Sequence, residues 1–233
     1  MSIDGVPELV VVIVASLITA LATGLGAIPF LFLKKISKRM VSRSDALAAG
    51  LMVGASFALF IEGSDYGAAQ TLIGANLGLL AVLLTKRILR RHDVEVHDLV
   101  ESDSQTTLLF LAVMTAHSFA EGIAVGAAFG GAESLAGAVT IAIAVHNIPE
   151  GLAISAVMRP RGVSVLKCSG WAIFSSLPQV VMAVPAFLFV EYFTVALPYA
   201  LGFAGGAMLV MVFVELLPEA YADDRPQNVA FLA

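Results

Sequence analysis

Cysteine occurs once, at Cys168, which excludes a disulfide framework and any cysteine-built metal knuckle. Charge is also scarce: 13% of the 233 residues are Asp, Glu, Lys or Arg, against about 25% in an average soluble domain. The polar stretches are too short to form a soluble domain of their own, so a single bundle spanning 1–233 is expected. Alternation of apolar and polar residues is missing, which excludes a membrane β-barrel. Met1 to Glu8 lack the basic region of a cleavable signal, and none is expected. No nucleic-acid partner is expected either.

What the chain has in abundance is apolar length, with 59% hydrophobic residues. A bilayer core about 30 Å thick takes about 20 apolar residues in a helix. Seven uncharged or nearly uncharged runs approach that length, at about 9–33, 46–62, 66–88, 105–130, 134–158, 165–190 and 193–217. Unpaired backbone groups are too costly in lipid for loose strands, so each run is expected to be a helix and the fold an all-α integral membrane protein. Residues 226–233 read as the start of an eighth helix, apparently truncated.

Every lysine and arginine falls in four places. Lys34, Lys35, Lys38, Arg39 and Arg43 lie between the first and second runs, and Lys86, Arg87, Arg90 and Arg91 follow the third. Arg159, Arg161 and Lys167 join the fifth and sixth, and Arg225 follows the seventh. Basic residues gather on the cytoplasmic side, which predicts an external N-terminus and cytoplasmic basic loops in a cell membrane, inner or plasma.

Two runs carry intramembrane ionisable residues at one spacing: His117-Ser-Phe-Ala-Glu121-Gly and His146-Asn-Ile-Pro-Glu150-Gly. Residues four apart on a helix lie one above the other, so each run offers an imidazole and a carboxylate to one point. The two runs cross in opposite senses, and the pairs can meet near mid-membrane as a donor set suited to Zn²⁺ or a similar ion. Buried hydrogen-bonded pairs that merely lock helices together are the bland alternative. Ionisable groups cost about 2.5–3.5 kcal/mol each on insertion scales and usually mark a substrate path, which favours the metal. Pro149 leaves the carbonyl of Val145 without its helix donor, either an extra ligand or a harmless kink. Gly122, Gly126 and Gly151 allow close helix approach.

These paired signatures resemble the fourth and fifth helices of the ZIP (Zrt/Irt-like) metal transporters, most closely the GufA-like prokaryotic branch. The likeness continues in Ala48-Ala-Gly-Leu-Met-Val-Gly-Ala-Ser56 and in Gly205-Gly-Ala-Met-Leu-Val-Met-Val-Phe-Val-Glu-Leu-Leu-Pro-Glu219. It implies a 3+2+3 helix bundle with inverted repeats and movement of Zn²⁺, Cd²⁺, Fe²⁺ or Mn²⁺, as substrate, towards the cytoplasm. It implies a primary metal site at His117, Glu121, His146 and Glu150, with Met52 beside it. An adjacent second site would match Ser118, Asn147 and Gln179 and share the two glutamates. Many relatives carry Asp or Asn at Ser118 and Glu at Gln179, so fewer anionic ligands face a second ion here and one strong site is expected. Glu215 and Glu219 match the family's exit route, or else snorkel to nearby basic loops. His92, Asp93, His97 and Asp98 lie where the family has a variable loop, and read as a solvated acidic linker or a metal-binding one.

An intramembrane zinc-dependent hydrolase is a rival, but no His-Glu-x-x-His motif is present and neither catalytic residues nor a resident cofactor are assigned. A metal-binding, non-transporting regulatory subunit is the second rival. The sequence leaves a homodimer open.

Overall fold

In a computed structural model the chain is described over residues 2–3, 6–33, 36–90 and 104–233. Lys34, Lys35, Arg91, His92, Asp93, His97 and Asp98 lie outside the described residues. The helices are α1 (Glu8–Leu25), α2 (Pro29–Phe32), α3 (Lys38–Arg90), α4 (Ser104–Ala128), α5 (Glu133–Met158), α6 (Val165–Tyr192), α7 (Leu197–Met211), α8 (Leu217–Asp223) and α9 (Pro226–Leu232). A two-stranded antiparallel pair, with Ile3 opposite Val6, precedes α1. Among the described residues, five helices are long and apolar enough to cross a membrane.

The second and third apolar runs form one helix, α3, whose apolar stretch from Lys38 to Thr85 is 48 residues long. At about 1.5 Å per residue that length exceeds twice the thickness of a bilayer core. It is broken at Gly67, where φ 165° and ψ 100° are extended rather than helical. Polar, exposed residues such as Ser64 and Asp65 precede that break. The first run also divides: α1 ends at Leu25, and Pro29, lacking a backbone donor, opens the four-residue α2. The seventh run holds a π-helical turn at Val212–Leu216. Pro218 follows it and removes one more backbone donor.

Among the described residues large apolar side chains cover the outer surface, while a set of polar side chains is buried beside the apolar core. Leu72, Leu84, Ile141, Val181 and Phe213 are 57–66% exposed, a surface suited to lipid tails. Ser16, Thr19, Thr23, Ser118, Glu121, Asn147 and Gln179 are fully buried.

Small residues set the helix crossings. α7 nests against both arms of α3: Gly205 faces Ser56 and Phe60 before the break, while Gly202 and Gly206 face Thr71 and Ala75 after it. A Cβ at Gly206 would lie 2.7 Å from the Cα of Ala75, so this approach needs glycine. α4 packs on α6 through Gly122, where a Cβ would lie 2.8 Å from the Cα of Gln179. Glu121 and Gln179 are thereby brought together. α5 packs on α1 where Gly151 sits beneath the carbonyl of Thr23. At the other end, Ser42 on α3 donates to the Ala220 carbonyl, and Val229 of α9 buries against Ala46 and Ala220.

Candidate metal centre

α4 and α5 present their ionisable residues one helical turn apart, at positions 117 and 121 and at positions 146 and 150. Burial is near complete: His117 is 7% exposed, His146 2%, Glu150 8% and Glu121 not at all. Among the described residues, one donor atom from each of His117, Glu121 and His146 can be chosen so that all lie within 4.8 Å of one another. Nε2 of His146 lies 3.1 Å from Oε1 of Glu121, and Nε2 of His117 lies 3.6 Å from the same oxygen. The two imidazoles stack, with centroids 5.8 Å apart and planes inclined by 27°.

The Oε1 atom of Glu121 has no hydrogen-bond partner despite its closeness to both rings. Both nitrogens of His117 and His146, both oxygens of Glu150 and Oδ1 of Asn147 are likewise buried without one. Each such atom costs about 1–3 kcal/mol, and more when charged. A set of imidazole nitrogens and carboxylate oxygens converging in a buried space suits a transition-metal dication, which would bind at about 2.0–2.2 Å from each donor. Donors at that distance from a tetrahedral ion lie about 3.3–3.6 Å from one another, so the 3.1 and 3.6 Å separations of the two imidazoles from Glu121 already suit one.

Glu150 lies outside that tightest trio. It stands one turn beyond His146 on α5. Gln179, on α6, turns its amide nitrogen to Oε2 of Glu121, while its own Oε1 accepts from Asn147 Nδ2 at 3.1 Å. Ser118 is buried beside His117 in sequence, and Met52 is enclosed in the apolar core with Val12, Ala49 and Val125. Glu215 reaches the site from the π-helical turn, its Oε2 3.7 Å from Nδ1 of His117. Glu219, one turn further, is exposed.

One participant was not picked out from the sequence. Thr19 of α1 places its hydroxyl 2.6 Å from Oε1 of Gln179, and its carbonyl accepts from Asn147 Nδ2 at 2.8 Å. A signal for it exists. Ser16, Thr19 and Thr23 form a polar stripe at helical spacing in an otherwise apolar run, and Thr23 lies 2.8 Å from the Ser176 hydroxyl of α6.

Residues 89–232 match the family described as ZIP zinc transporter. The chain belongs to that family. It is 33% identical to the zinc transporter GufA of Myxococcus xanthus over 90% of this chain and 88% of that protein. With the zinc transporter ZIPB of Bordetella bronchiseptica it shares 31% identity over 86% of this chain and 69% of the other. The Arabidopsis thaliana protein At3g08650, a candidate zinc transporter by name, is 42% identical over 94% of this chain, which spans only 36% of that protein's length. These relatives are named as transporters rather than enzymes, which removes the hydrolase reading. The GufA-like affiliation expected from the paired signatures agrees with the match to GufA.

Proposed function

We propose that this chain carries Zn²⁺, or a related dication such as Cd²⁺, Fe²⁺ or Mn²⁺, across a cell membrane towards the cytoplasm. The ion passes through a site formed by His117, Glu121, His146 and Glu150 between α4 and α5. The observation that carries this reading is the convergence of His117, Glu121 and His146 within 4.8 Å, with Glu121 Oε1 and all four ring nitrogens buried and unpartnered. Membrane-buried ionisable groups at this cost serve a substrate path more often than a structural one. Met52, Ser118, Asn147 and Gln179 flank the ion, and Glu215 followed by Glu219 leads it away. The residues act as one transmembrane unit with its N-terminus outside, an orientation supported by the one-sided placement of Lys and Arg.

The test is zinc uptake into sealed proteoliposomes. The wild-type chain should admit zinc, and Glu150→Ala should abolish or severely reduce uptake while leaving a folded protein. Binding without uptake would convert the chain into a regulatory metal-binding subunit, and unchanged uptake in Glu150→Ala would overturn the site. Orientation is separately testable in a Cys168→Ala background. A cysteine at exposed Ser64 should react with an impermeant thiol reagent from outside, and one at exposed Ser37 should not.

A further inference from the structure

Thr19, Asn147, Gln179 and Glu121 come from four different helices and are all fully buried. They form a continuous hydrogen-bonded series. The Thr19 carbonyl accepts from Asn147 Nδ2 at 2.8 Å, and that nitrogen also donates to Gln179 Oε1 at 3.1 Å. The Thr19 hydroxyl lies 2.6 Å from the same Gln179 oxygen and 2.7 Å from the Ser16 carbonyl, and its single proton serves one of these acceptors at a time. Gln179 Nε2 then donates to Oε2 of Glu121.

The direction of this series is fixed at both ends. A side-chain amide has one donating end and one accepting end, whereas a main-chain carbonyl and a carboxylate only accept. Asn147 must therefore turn its NH₂ to the Thr19 carbonyl, which brings the same NH₂ to the Gln179 oxygen. Gln179 is left with only its NH₂ to offer Glu121, and Glu121 can use nothing else. Reversing Asn147 would set oxygen against oxygen at both of its contacts, and reversing Gln179 would set its oxygen against the Glu121 carboxylate and its nitrogen against that of Asn147.

We infer that Thr19, Asn147 and Gln179 form a one-way amide relay that keeps Oε2 of Glu121 engaged and limits the centre to one ion at a time, bound at Oε1. This rests on the metal-site reading above. Where two ions sit about 3.5–4 Å apart, a bridging carboxylate gives one oxygen to each. The N–H takes one of the two lone pairs of Oε2, so a second ion there must compete with that donor for the oxygen. The N–H also supplies partial positive charge on that side, which repels a second dication. Gln179 is thus a positioning residue that selects how Glu121 binds, and Thr19 anchors it from α1.

The experiment is equilibrium dialysis of the purified full chain against zinc chloride, paired with zinc-edge X-ray absorption of the same samples. The wild-type chain should hold about one zinc with no metal–metal scattering at about 3.5–4 Å. Gln179→Glu removes the donor and adds a charge, so bound zinc should double and that scattering should appear. Asn147→Asp breaks the relay at its middle and should have the same effect, which covers the case in which the first variant fails to fold. Two ions side by side in the wild-type chain, or single occupancy in both variants, would overturn the inference while leaving the metal site standing. A wild-type chain that binds no zinc would instead overturn the reading beneath it.

Discussion

Nδ1 of His117 lies 3.7 Å from Oε2 of Glu215, so the ring that faces Glu121 on α4 also faces a carboxylate on the π-helical turn before α8. π-helical turns recur at functional sites because they shift side-chain register. This one turns an acidic residue towards the centre. Glu215→Gln keeps the shape and removes the charge. Zinc stoichiometry should be unchanged, since the trio of His117, Glu121 and His146 is intact. A charge-assisted contact contributes about 1.5–3 kcal/mol, which corresponds to about a ten- to hundredfold slower uptake if Glu215 receives the departing ion. Uptake at the wild-type rate would remove Glu215 from the path.

The pairing of His117 with Glu121 was legible because a spacing of four on one helix is local information. The apolar runs were legible for the same reason. Other features depend on tertiary context. Nothing local distinguishes a loop between two helices from the single extended residue at Gly67 that keeps α3 continuous. Glu215 could be placed near an exit, yet its reach to His117 follows from a register shift that apolar patterning does not record. Gln179 was expected to flank a second ion as a neutral ligand. The direction of its amide emerges only when α1 docks on α5 and α6 and supplies the Thr19 carbonyl.

Gly151 offers a test of that docking. A Cβ there would collide with the carbonyl of Thr23 and come within 3.4 Å of the Cα of Gly26. Backbone cannot yield as a flexible side chain does, so Gly151→Ala should cost about 1–3 kcal/mol. A lowered midpoint in thermal unfolding in detergent is the expected result. Gly137→Ala, with nothing within 4 Å of its added carbon, should leave the midpoint near wild type. Equal behaviour of the two variants would contradict the close crossing of α1 and α5.

Protons should compete with the metal. Imidazole ligates only when neutral and carboxylate when ionised, so each ligand that takes up a proton is lost to the ion. Zinc affinity should therefore fall as the medium is acidified from neutral, measured by competition with a chelator of known pH dependence. Uptake rate need not follow, because protonation also speeds release. A flat affinity between neutral and mildly acid pH would argue against the two histidines as ligands.

The last expectation concerns the polar end of the bundle. Nε of Arg43 donates to Asp224 at 2.6 Å, and Asp224 also accepts from Asn228 at 2.9 Å and from the Arg225 backbone at 2.7 Å. The Arg43 guanidinium first, and these neighbouring donors after it, hold the Asp224 carboxyl well below the usual carboxylate range. Because the folded value is depressed, the stabilisation is fully present above the unfolded value of about 3.9. It is lost as pH falls below that value and through the depressed folded one. The contact ties α3 to the segment that opens α9, whose Val229 is buried against Ala46 and Ala220. Asp224→Asn should therefore speed hydrogen exchange in α9 at neutral pH, after correction for intrinsic rates. The difference from wild type should shrink steadily once the pH drops below about 4. No difference at neutral pH would mean that α9 is held by apolar packing alone, and a difference that persists or grows in acid would mean that Asp224 acts other than through its charge.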